Sequence, residues 1–131
     1  MSLILSLALL LGTPSSTGPA DTFAARVLRG KLVEAGPTGP GYQKVLWHQL
    51  DGPVTTALKT CIARHAPADK SPFTVVAEIP PDGATRRVEA QPATPLAGCY
   101  ARWLATQTLP PPPRLGDAAG YPIEIDVSIV P

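Results

Sequence analysis

Apolar positions along the chain recur at two spacings, one helical and one extended, and the changes between them mark the elements. Leu96, Cys99, Tyr100, Trp103 and Leu104 stand at i, i+3, i+4, i+7 and i+8, a single stripe at helical period. Thr94 is placed to cap that helix through its hydroxyl, and Pro95 suits a first helical position, where a missing N–H costs nothing. Pro110, Pro111, Pro112 and Pro113 stop the helix beyond Leu109. Its other face, with Gly98, Arg102 and Ala105, is only weakly polar, so the helix must lie against a sheet. An earlier helical spacing runs through Val45, Leu46, Leu50, Val54, Leu58, Cys61 and Ile62. Asp51-Gly52-Pro53 interrupts it, which predicts two helical pieces or one kinked helix ending before Pro67.

Beyond Pro72 the period becomes two. Phe73, Val75, Ala77 and Ile79 alternate with Thr74, Val76 and Glu78, and Pro80-Pro81-Asp82-Gly83 supplies a turn. Residues 84–91 return as a second, partly exposed strand. Tyr121, Ile123, Ile125, Val127 and Ile129 alternate with Pro122, Glu124, Asp126, Ser128 and Val130, predicting a last strand with one core face and one wet face. Helix, strand, strand, helix, strand predicts an α+β fold: a three-stranded antiparallel sheet of order 2-1-3, a split βαβ unit with a right-handed crossover, and two helices packed on one face. Residues 21–41 fit this scheme least. Phe23, Val27, Leu28, Leu32 and Val33 allow either a helix broken at Gly30 or a short strand over 29–34, and Ala35-Gly36-Pro37-Thr38-Gly39-Pro40-Gly41 reads as a loop or linker.

Composition narrows the classes. The chain has 131 residues, enough for one core, and eleven Lys and Arg against ten Asp and Glu. With no basic run longer than Arg86-Arg87, neither duplex nucleic acid nor an anionic membrane surface is an expected partner. The apolar fraction of 44% is too high for a disordered chain despite seventeen prolines. Residues 1–20 read as an export signal: an uncharged apolar run over residues 3–11, then small residues up to Gly18-Pro19-Ala20. That run would rise about 14 Å as a helix, against a hydrocarbon core of about 30 Å, so no stable membrane insertion is expected after cleavage. Two cysteines in an exported chain point to a disulfide between Cys61 and Cys99, whereas in a reducing cytosol they would be buried free thiols.

Laid out this way, residues 45–130 resemble the AgmX/PglI C-terminal family of exported myxobacterial proteins, which belongs with the TonB C-terminal-like domains. The resemblance rests on a cysteine-bearing helix (TALKTCIARHAP), a strand running into a Pro-Asp-Gly turn (FTVVAEIPPDGATRRVEA), a second cysteine-bearing helix (LAGCYARWLATQTLPPPP) and a closing alternating strand. Ile62 stands where the family usually has Tyr, and Gln107 where it usually has Trp. The resemblance implies a periplasmic or secreted interaction module, with residues 1–20 a signal peptide, 21–44 an extension and linker, and 45–131 the TonB-like domain. Relatives of that kind bind an extended peptide at a sheet edge.

Enzymatic chemistry finds no foothold. His48 and His65 lack the spacing of a metal motif, no nucleophile stands beside a base, and Glu78 and Glu124 read as a solvated pair on an open sheet. Trp47, Tyr100 and Trp103 read as core packing rather than a binding patch. No catalytic residue, metal or cofactor is therefore assigned. The expected function is a binding or adaptor module for an envelope protein or extended peptide, with a structural subunit of an envelope or motility complex as the alternative and a hydrolase as a distant third. Two expectations are open to geometry. Cys61 and Cys99 should have Cα atoms within about 7 Å. The outer strand, Ile123, Glu124, Ile125, Asp126, Val127, Ser128 and Ile129, should present a free flank to a partner strand.

Overall fold

The computed structural model describes residues 22–116 and 120–130. Its elements are α1 (Phe23–Ala35), α2 (Gly39–Arg64), β1 (Phe73–Ile79), β2 (Arg86–Gln91), α3 (Pro95–Ala105) and β3 (Tyr121–Val127). The expected signal segment lies outside the described residues. Among the described residues no helix is long and apolar enough to cross a membrane.

The three strands pair antiparallel in the order β2-β1-β3, the expected 2-1-3 arrangement. Phe73, Val75, Ala77 and Ile79 of β1 lie opposite Val127, Ile125, Ile123 and Tyr121 of β3, so the two alternating apolar sets share one face. That face meets Leu46 and Leu50 of α2 and Leu96, Tyr100 and Leu104 of α3 in a single core. Thr94 caps α3 as its sequence predicts, its Oγ1 accepting the Ala97 N–H at 3.1 Å. A disulfide between Cys61 and Cys99, with Cα atoms 5.8 Å apart, fastens α2 to α3. Closing a loop with a sequence separation of 38 stabilises the fold by about 4 kcal/mol in the chain-entropy model.

The N-terminal part departs from expectation. α1 is one unbroken helix through Gly30, capped by the Thr22 hydroxyl, and it covers the face of the sheet expected to be wet. Val76, whose side chain points to that face, is 1% exposed. Apolar period concealed the arrangement because the side of α1 against the sheet is built from Arg26 and Gly30, while Leu28 and Leu32 point outward at 59% and 65% exposure. Gly30 permits a very close approach: a Cβ there would stand 2.8 Å from Glu124 Cβ and 3.3 Å from the Glu124 amide nitrogen.

The expected linker is likewise mostly structure. Gly39-Pro40-Gly41 forms the first turn of α2, where Pro40 has no helical N–H partner to lose and its fixed φ suits the helix. Gly39 is needed at the corner between α1 and α2, since a Cβ would lie 1.8 Å from the Glu34 carbonyl oxygen. α2 then continues through Pro53 as a single 26-residue helix. At the other end β3 stops at Val127, so Ser128 and Ile129 lie outside the strand they were expected to extend.

Replacing Gly30 by Val should force α1 off β3. An overpacked contact of this kind costs about 1–3 kcal/mol, and we expect a loss near the upper end in urea unfolding. Gly41→Val is the matched control, because nothing lies within 4 Å of a Cβ at that position. Equal stability of the two variants would show that the close approach of α1 is not needed.

Candidate functional site

The strand expected to recruit a partner has most of its outer flank covered. Counting backbone and side chain together, Ile123 keeps 2%, Ile125 6% and Glu124 8% of its surface. The backbone of Gly30 lies against Ile123 and Glu124, close enough that a Cβ would be 3.3 Å from the carbonyl carbon of the one and the amide nitrogen of the other. Of the predicted edge residues, Asp126 and Ser128 are exposed, Ile129 is half-buried and Val127 is buried. β3 is an outer strand as expected, but its backbone is buried over residues 123–125, and of the predicted edge residues only Asp126 and Ser128 are exposed.

Polar groups lock this cover in place. Lys31 Nζ donates to Glu124 Oε2 at 3.3 Å and to Asp126 Oδ2 at 3.2 Å, and the Thr74 hydroxyl donates to Asp126 Oδ1 at 2.8 Å. Arg29 and Arg87 both donate to Glu78 Oε1, at 3.1 and 2.9 Å. Arg26, 5% exposed, places one guanidinium nitrogen 3.2 Å from Glu89 and another on the Arg87 carbonyl, which ties α1 to β2. Glu78 and Glu124, expected to face solvent as a pair, are instead each held by cations: Glu78 by Arg29 and Arg87, Glu124 by Lys31. Glu124 Oε1 is buried with no hydrogen-bond partner among the described residues. Its carboxyl is pushed up to about 7, first by burial and then by Asp126 beside it. Asp126 is held below its ordinary value, chiefly by its hydrogen bonds with Glu124 and Thr74.

The exposed flank belongs to β2. It pairs with β1 on one side and with no strand among the described residues on the other. Arg86, Arg87 and Gln91 are exposed, and Val88, Glu89 and Ala90 are half-exposed. A bulge sits at its start, because Arg87 and Val88 together face Ala77, and Arg87 has a positive φ of 51°. From Glu89 to Gln91 the pairing is regular.

The remaining candidates fall elsewhere. Tyr100 is fully buried, and Trp47 and Trp103 are half-buried against the core. His65 ends α2, where its backbone N–H donates to the Cys61 carbonyl, and His48 is exposed. Among the described residues no group of three or more His, Cys, Asp or Glu could hold a metal ion. A groove of about 680 Å³ runs between α2 and α3 with the disulfide in its floor. No family model, curated protein or solved structure matches the chain.

Glu124 makes the cover on β3 sensitive to pH. A carboxyl raised from 4.5 unfolded to about 7 folded binds its proton more tightly in the native state. Its contribution is therefore intact below about pH 4.5 and is lost as pH rises through 7. Compared with Glu124→Gln, the wild-type protein should lose about 3 kcal/mol of stability between pH 4.5 and 8. Asp126 acts oppositely, in a lower window, its contribution falling away as pH drops below the carboxylate range. Parallel pH dependence of the two proteins in thermal melts would contradict the assignment to Glu124.

Proposed function

We propose that the chain is an exported periplasmic interaction module of the TonB C-terminal-like, AgmX/PglI kind, and that it takes up an extended partner strand along the outer flank of β2. The observation that carries this reading is the contrast between the two outer strands: β3 is buried under α1, whereas β2 is exposed to half-exposed and has no second strand partner among the described residues. An unpaired flank of this kind offers backbone donors and acceptors to a further strand. The disulfide supports an oxidising compartment, where such bonds persist. Val88 and Ala90 pack against the core, so a partner strand with alternating apolar and polar residues would extend the core face. Pro92 ends the ladder and keeps the docking stretch short.

Successive residues of an edge strand point their N–H groups to opposite flanks. Of Glu89→Pro and Ala90→Pro, one therefore breaks the ladder to β1, while the other leaves the fold and removes an outward donor. We expect the folded variant to capture partners from periplasmic extract at least about tenfold more weakly than the parent, the effect of losing a hydrogen bond and a close approach together. Undiminished capture by that variant would sink the assignment to β2. Loss of capture only in a folded Ser128→Pro variant would return it to β3.

A further inference from the structure

The groove between α2 and α3 has a composition that the edge-binding role does not call for. Among the described residues its walls carry no acidic side chain. Pro53, Thr56, Ala57 and Thr60 form one side, Trp103 and Thr106 the other. The threonines are less polar here than their names suggest, because each hydroxyl is engaged by its own helix: Thr56 with the Gly52 carbonyl at 3.3 Å, Thr60 with Thr56 at 3.1 Å and Thr106 with Trp103 at 2.6 Å. Both walls are helices whose backbone groups bond internally. An extended peptide laid here would bury its own amides and carbonyls without partners, a cost an acyl chain does not incur.

One end of the groove is cationic. Arg64 follows Cys61 by three residues and Arg102 follows Cys99 by three; α2 and α3 run antiparallel, with Gln49 on the Thr108 carbonyl, so the two Cα atoms lie on opposite sides of the disulfide and both side chains line the groove. Arg102 Nη1 folds back over Gly98, 3.3 Å from where a Cβ would sit. Arg26, Arg29, Lys31, Arg86 and Arg87 are all in ion pairs, yet neither Arg64 nor Arg102 has an ion pair or hydrogen bond among the described residues. Two guanidiniums with no partner among the described residues, at one end of an apolar groove with no acidic wall residue among them, are complementary to an anionic head on an apolar tail. We propose that this groove binds a single-chain anionic amphiphile, its acyl chain along the α2 and α3 walls above the disulfide and its carboxylate or phosphate between Arg64 and Arg102. From Pro53 to Arg64 the wall is about 16 Å long. That matches a chain of about a dozen carbons at about 1.2 Å per bond, and the volume is within the usual range for small-molecule sites.

The test is calorimetric titration of the oxidised protein with dodecanoate, dodecyl phosphate and uncharged dodecyl maltoside, each below its micellar concentration. Dodecanoate or dodecyl phosphate should bind saturably at one per chain, and whichever binds more tightly tells a carboxylate source from a phosphate one. The double variant Arg64→Gln/Arg102→Gln should weaken that binding about tenfold or more, and dodecyl maltoside should bind weakly to both proteins. Thr60→Trp, which fills the groove from an exposed position, should abolish binding, while the folded edge variant of β2 should bind normally. The proposal fails if the uncharged amphiphile binds as well as the charged ones, if either variant binds like the parent, or if none of the three saturates. It also fails if an acidic helical peptide binds the groove and the amphiphiles do not.

Discussion

Phe73, Val75, Ala77 and Ile79 on one face of β1 and Val76 on the other are each at most 3% exposed, so this strand has to be roofed on both sides. Three strands and two helices meet only half of that requirement. α2 and α3, joined by the disulfide, roof the first face, and α1 must roof the second. What lets α1 do so is the missing side chain of Gly30, which brings the helix backbone onto β3. Arg26, Arg29 and Lys31 then reach over β2, β1 and β3 in turn. These three cations meet carboxylates that would otherwise have made the second face repel any cover by charge and hydration.

The cost of this arrangement is concentrated at Glu124. A carboxyl group with one oxygen buried and without a partner among the described residues is destabilising in its charged form, and the Lys31 ion pair offsets only part of that. α1 also gives the sheet a polarity along its width. One edge is sealed beneath a helix, and the other is left to a strand that is bulged, rich in arginine and terminated by proline, features that discourage indiscriminate pairing without closing the flank. A small module with one protected and one accessible edge can recruit a single strand and still resist growing into a fibre.

Much of the fold was legible because period and punctuation agree. The stripe of α3, the Thr94 cap, the Pro-Asp-Gly turn and the strict alternation of β3 each carry a local physical reason, and together they define the sheet order and the cysteine pairing. α1 was not legible in the same way, since its packing face is an arginine and a glycine and its larger apolar residues face outward. Hydrophobic period cannot register a helix that docks through a missing side chain and ion pairs. Gly39-Pro40-Gly41 misled for a related reason: the residues that break a helix interior also suit its first turn and a tight corner. The cover over β3 was hidden for the same reason, because Glu124 and Asp126 look like a solvated face unless the helix carrying Lys31 is in place. The groove above the disulfide was half visible, in the i, i+3 spacing of each cysteine and arginine. That both arginines lack partners among the described residues is a property of the folded chain alone.

Amide hydrogen exchange resolved by residue tests whether α1 seals β3 and leaves β2 as the accessible edge. Amides pointing to either flank of β3 between Ile123 and Ile125 should exchange slowly, by opening of the structure. Alternate amides of β2 should exchange nearly as fast as exposed backbone. Rapid exchange on the outer flank of β3 together with full protection along β2 would contradict that arrangement.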